Sequence, residues 1–268
     1  MAWARARKPL HSLFSKDYIA QDNVEVDELH VIHLGTSAYM LGSILWCLCY
    51  EIMGGEAVDN MHQIWGRITR CYQELKTATQ FSSMSLSSFC DPKSRDRSYP
   101  KLKGRGAEIK DLVHPLIITL REIRRDGNEE DRWVIEMLEA QLDMQTVLSD
   151  TALELFLAVD EATHVRECVD KILMRYTLLA NAADARGATA FNLVPKFHFL
   201  WHFADKCIYL HPRRGNTMVD EDYVGLVKKV VHSCVWATGP SKVPETVAEQ
   251  IRWGQLFAAM YNSEYTVA

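Results

Sequence analysis

The run Leu34–Tyr50, LGTSAYMLGSILWCLCY, constrains the fold more than any other stretch of this chain. None of its seventeen residues is charged. A helix made from it is apolar on every side, so it must be enclosed either by protein or by lipid. That length lies at the short end of what spans a bilayer, roughly 17 residues. The run also holds Gly35, Thr36, Ser37, Gly42 and Ser43, and Glu51 closes it. It reads as the centre of a buried helix, Leu29–Ile52, in a globular domain with no membrane partner.

The rest of the chain must supply the enclosure. At 268 residues with 48% hydrophobic and 24% charged side chains, it is long and apolar enough to bury a sizeable core. Its periodicity is helical nearly throughout. Met61, Ile64, Trp65, Ile68, Cys71, Tyr72 and Leu75 recur at three- and four-residue steps and predict an amphipathic helix over 57–78. A second helix starts near Ala107, with Pro115 kinking it or marking its true start. The turn DGN at 126–128 precedes Glu129, Glu130 and Asp131, which suit the positive end of a third helix. Another is expected at about 151–159, or fused with the third. Asp160 or Thr163 caps the next, and Pro195 fits the first turn of the one after. Two more follow at about 219–237 and 244–262. Only Asn23–Val26, Ala190–Val194 and Thr217–Val219 suggest strands. The expected fold is mainly α, a multi-helix bundle-like domain with at most a few short strands. Residues 1–22 read as a basic N-terminal extension, 23–262 as a single helical domain and 263–268 as a tail.

Charge and cysteine use bound the function. A net charge of −5 argues against a wholly basic protein that coats nucleic acid, and leaves room for a local basic patch. The seven cysteines are odd in number and include no C-x-x-C, so they read as reduced, buried thiols of an intracellular protein. A zinc site built on cysteine is not expected.

Four groups of residues have spacings that suit chemistry. Asp27 and His30 share one face of a helix and either bind a metal or proton together, or serve as a helix start with Asp27 capping free amides. His198 and His202, at i and i+4, are either half of a metal site or part of a polar network among Phe197, Trp201 and Phe203. Phe199 stands where the zinc-protease motif has Glu. Asp220, Glu221 and Asp222 either offset the helix dipole or offer a carboxylate to Mg²⁺. The loop at 79–105 carries Lys93, Arg95, Arg97, Lys101, Lys103 and Arg105. These either meet phosphates or are simply solvated. His33, His62, His114, His164 and His232 stand alone and give no signal.

Three of these segments, in this order, resemble the cut-and-paste DNA transposases of the CACTA and related superfamilies. DELHVIHLGTSAYMLGSILW resembles their D-x-M-H…LG segment, with Leu29 in place of Met. VPKFHFLWHFADKC resembles their P-K-x-H-x-x-x-H segment. EDYVGLVKK resembles their E-R-F-x-G-x-x-K segment, with Asp220 in place of the preceding Phe. SYPKLKGRGAEIKDLVHPLI is similar to the helical insert those enzymes carry.

The resemblance implies that Asp27 and His30 are the accessory pair and that His198 and His202 form the histidine helix. It makes Glu221 the last acid of a DDE triad, followed by Tyr223 and Gly225. In such enzymes three carboxylates on a ribonuclease H-like sheet hold two Mg²⁺ ions for phosphodiester chemistry. Here the only acids before Glu25 are Asp17 and Asp22, and neither lies in a convincing strand. The expectation is therefore the C-terminal portion of a transposase-like protein, catalytically incomplete, with Mg²⁺ only where an intact site is completed. Its expected partners are DNA, another protein or itself, and its expected location is the nucleus. The resemblance also expects Glu221 to lie beside Asp27 and His30. Two alternatives stand beside it. One is a helical protein-interaction module without enzymatic activity. The other is a small metal-dependent hydrolase using Asp27, His30, His198, His202 and Glu221.

Overall fold

The computed structural model describes residues 26–93, 97–215, 217–235 and 242–265; some side chains of the last two helices are not included. Arg95, Asp17, Asp22 and the strand candidate at 23–25 lie outside the described residues. Among the described residues there are eight helices and no strand, so the fold is mainly α. Contacts divide the chain into two compact units, Met1–Asn216 and Thr217–Ala268.

The uncharged run forms the middle of α1 (Leu29–Ile52) and lies in the core of the first unit. Its central part, Ala38–Cys47, is regular α-helix, while Leu29–Ser37 and Leu48–Ile52 take the wider π form. Gly35 departs from helical backbone altogether (φ −104°, ψ −110°) and kinks the first segment. Two serines of α1 dock neighbours. Ser37 Oγ accepts from Gln141 Nε2 at 2.7 Å, and Ser43 Oγ accepts from the Phe191 amide at 2.9 Å. At Gly42 a side chain would come within 2.7 Å of the Leu102 amide nitrogen. At the far end, Asn60 donates to the carbonyls of Cys49 (2.9 Å) and Met53 (3.0 Å), which the π turn leaves open. Ser37, Gly42 and Ser43 are thus points where protein closes around a helix that is by length and composition apolar enough to cross a membrane.

Around α1 stand α2 (Ala57–Leu75), α3 (Gly106–Ile123), α4 (Glu129–Asp150), α5 (Val159–Ala185) and α6 (Pro195–Lys206). Asn128 caps α4 by accepting from the Asp131 amide at 3.0 Å. Helices α4 and α5 run antiparallel. Arg175 pairs with Glu136 at 2.6 Å, and Arg186 bridges Glu130 at 2.9 Å and Glu51 at 2.8 Å. The paired carboxylates, Glu51 foremost, raise the pKa of Arg186 and bind the C-terminal end of α1 to that hairpin.

Several local expectations change. Pro115 lies inside α3 and does not start it, and the Thr119 hydroxyl donates to its carbonyl at 2.9 Å. Residues 151–158 form turns, not a helix. The first free turn of α5 is served by Glu161, which accepts from the Ala158 amide at 2.8 Å; neither Asp160 nor Thr163 is the cap. Residues 190–194 are irregular, and Met218 already belongs to α7.

In the second unit, α7 (Met218–Val235) and α8 (Val243–Tyr265) form a helical pair in which Ser233 Oγ donates to Gln250 Oε1 at 3.2 Å.

Candidate functional site

The segments that carry Asp27 and His30 and that carry His198 and His202 meet in space. Helix α6 packs on the π-form opening of α1. Phe197, Leu200, Phe203 and Ala204 form its buried stripe. Phe197 stacks on Tyr176 with ring centres 4.0 Å apart, and Tyr176 is tied to the Asn192 carbonyl at 3.0 Å. Pro195 occupies the first turn, as its fixed φ favours. These contacts carry Lys196 across the kink in α1, where its ammonium donates to the His30 carbonyl at 2.7 Å. Gly35 makes room for it. A side chain there would come within 2.6 Å of the His30 carbonyl oxygen and 2.9 Å of Lys196 Cδ.

Asp27 acts as the cap of α1. Its carboxylate accepts from the amides of Leu29 and His30, both at 3.2 Å, and pairs with His30 Nδ1. The basic loop reaches the same region. Its backbone is docked, with the Leu102 amide donating to the Ala38 carbonyl at 2.8 Å, Lys101 to Phe89 at 2.8 Å and Lys103 to Ser88 at 2.8 Å, while the side chains of Lys101, Lys103 and Arg105 are exposed. Phe81, Met84, Leu86, Phe89, Cys90 and Leu102 are buried beneath it. This brings Lys101 Nζ to 5.1 Å from the centre of the Tyr39 ring, within cation–π range. Lys101 is also near enough to act on Lys196. Partial burial, with the Lys101 charge behind it, lowers the pKa of Lys196 against the opposing pull of Asp27. The remaining loop cations are placed differently. Lys103 Nζ donates to the Ser87 carbonyl at 3.2 Å and Arg105 pairs with Glu108 at 2.8 Å. Lys93 and Arg97 are exposed.

His198 and His202 face each other with Nε2 atoms 3.0 Å apart, so one ring donates and the other accepts. Trp201 beside them lies under the Arg166 guanidinium at 4.5 Å. The two histidines offer two metal donors. Among the described residues no third His, Cys, Asp or Glu joins them, or joins Asp27 and His30, in a three-donor cluster. Glu221 belongs to the first turn of α7, in the second unit, and its side chain, like those of Asp220 and Asp222, lies outside the described residues.

Beneath the surface pair lies one that the helical spacing rules miss. Glu28 and His33 are both buried, with His33 Nε2 to Glu28 Oε1 at 3.2 Å. Burial pushes the Glu28 pKa up. The His33 hydrogen bond and charge, with Arg213 and Lys110, outweigh it and leave it below the ordinary carboxylate value. His211, also buried, accepts from the Arg213 amide through Nδ1 at 3.1 Å. Its Nε2 therefore carries the proton and donates to Thr151 Oγ at 3.0 Å. Burial, with Arg213, lowers the His211 pKa.

All seven cysteines are buried and none is joined in a disulfide. Burial pushes Cys49 and Cys207 up to about 12 and Cys168 up to about 11, so these thiols are neutral and poor nucleophiles at neutral pH.

Compared with known proteins, the chain matches no protein-family model, no curated protein and no solved structure.

Proposed function

We propose that the chain is a transposase-derived helical protein that holds the DNA backbone and does not cut it unaided. The observation that carries this reading is the 2.7 Å contact between Lys196 and the His30 carbonyl, where two of the three transposase-like segments join. Lys101 of the insert-like segment adds a second cation and Tyr39 an aromatic face. Burial and the Lys101 charge disfavour the charge of Lys196, which suits an anion near the two lysines, because a phosphate oxygen relieves that cost and releases counterions from the DNA. Such contacts position a duplex without reading its bases. Asp27 is engaged as a helix cap and in its pair with His30, which suits an accessory role better than holding Mg²⁺. In this reading Glu221 is a vestige of the last triad acid, and the protein works in the nucleus.

Fluorescence anisotropy with a short labelled duplex tests the reading. Wild type binds, and a Lys101→Ala/Lys196→Ala variant binds several-fold more weakly whatever the duplex sequence. Failure of the wild type to bind even at low salt overturns it. Plasmid nicking by this chain with Mg²⁺, abolished in Glu221→Gln, overturns the claim that it does not cut.

One observation favours the alternative of an interaction module. Val224, Val227 and Val231, at helical spacing on α7, line a groove of about 390 Å³ with Lys228 and His232. Sedimentation of wild type and Val227→Asp tests self-association through that face.

A further inference from the structure

We infer that Asp143, His164 and Cys168 form a site for a Zn²⁺-class transition-metal ion on the α4–α5 hairpin. One ligand atom from each residue lies within 4.8 Å of the other two. His164 Nε2 stands 3.7 Å from Cys168 Sγ. Zinc bonds of about 2.1 Å to nitrogen and 2.3 Å to sulfur, set at a tetrahedral angle, place those atoms about 3.6 Å apart. The observed separation needs almost no adjustment.

The backbone explains the match. His164 and Cys168 are four residues apart on α5, so they share one face. The antiparallel partner α4 presents Asp143 beside them, in the same hairpin where Glu136 meets Arg175 at 2.6 Å.

The donor set selects the metal. Imidazole and thiolate favour Zn²⁺ and its neighbours over Mg²⁺ or Ca²⁺, which prefer oxygen. Cys168 is buried while Asp143 and His164 are exposed. The sulfur therefore forms the floor of the site, and the open side leaves a fourth position to water, as in zinc sites that keep an exchangeable ligand. Binding exchanges one bond for another: the Cys168 S–H bond breaks, its proton passes to solvent, and the sulfur lone pair forms the S–Zn bond. The ion would also staple α4 to α5.

The test uses the full chain, reduced, with Co²⁺ as the probe. Cobalt reports a thiolate ligand through a sulfur-to-metal charge-transfer band. The expected result is a saturable one-to-one band that Zn²⁺ displaces and that is lost in Cys168→Ser. His164→Gln and Asp143→Asn, both at exposed positions, retain their helical circular dichroism. They weaken binding by at least about the tenfold that even an outer-shell change costs. Zn²⁺ should raise the Tm of wild type more than that of His164→Gln at the same metal concentration. The absence of a thiolate band in the wild type overturns the site. So does a band that persists in Cys168→Ser, or unchanged affinity in His164→Gln and Asp143→Asn.

Discussion

Two acid–histidine pairs leave the same turn of α1, one toward the surface and one toward the core. Asp27 and His30 are three residues apart and His30 is exposed. Glu28 and His33 are five apart and almost wholly buried, at 2% and 0% exposure. A regular α-helix does not bring residues five apart together, but a π turn does. Its wider coil also lets the Thr36 hydroxyl donate to the Val31 carbonyl, again five back, at 3.2 Å. The surface pair starts the helix and borders the lysines. The buried pair ties the first turn of α1 to the next, and the charges of Arg213, after α6, and Lys110, on α3, help to hold the Glu28 carboxyl below its ordinary value. The same two residue types serve two purposes because the backbone is wound differently than their spacing suggests.

The largest expected effect comes from breaking the buried pair. Glu28→Ala should cost about 3 kcal/mol in urea unfolding, since it leaves buried polar partners and a cavity. Gly35→Ala follows at about 1–3 kcal/mol, because the His30 carbonyl, a backbone atom, must move. It should also weaken DNA binding by displacing Lys196. Asp27→Ala, at the surface pair, should cost about 1 kcal/mol, the ordinary value for losing a cap. If Asp27→Ala proves costlier than Glu28→Ala, the contrast between the pairs is wrong.

The pH dependence is smaller and has a defined sign. His211 titrates below its ordinary 6.5, so the unfolded chain takes up a proton that the folded chain refuses. Stability is complete above that value and falls as pH drops below it. Protonation also puts a hydrogen on Nδ1, which accepts from the Arg213 amide. Glu28, whose pKa is lowered, adds a second loss further into acid. Its contribution is present above the ordinary 4.5 and disappears as pH falls through the folded value. Tm measured against pH should show both steps in wild type and only the acid one in His211→Gln.

Much of the architecture is legible in the sequence because apolar residues at three- and four-residue steps are forced inward. The helix over Leu29–Ile52, the amphipathic α2 and the proline-led α6 all follow from that. The docked loop is harder to read, although FSSMSLSSFC already holds the Phe81, Met84, Leu86, Phe89 and Cys90 that bury it. Its Ser, Pro and charged residues mask a turn-rich segment that packs without a period. The Glu28–His33 pair is invisible to rules built on i+3 and i+4. His164 stands alone in the pattern of histidines until Cys168 on its own face and Asp143 on the next helix are seen together. Lys196 sits inside the P-K-x-H segment, and only the packing of α6 on α1 gives it a partner and a second lysine nearby.

The most direct test of the central claim, that Lys101 and Lys196 meet DNA phosphates, is the salt dependence of binding. The slope of log affinity against log salt should shrink by roughly 0.9 for each lysine removed, and so by about 1.8 in the Lys101→Ala/Lys196→Ala variant. An unchanged slope with reduced affinity would contradict the claim, because it would mean that the two lysines support the fold of this face without touching the DNA backbone.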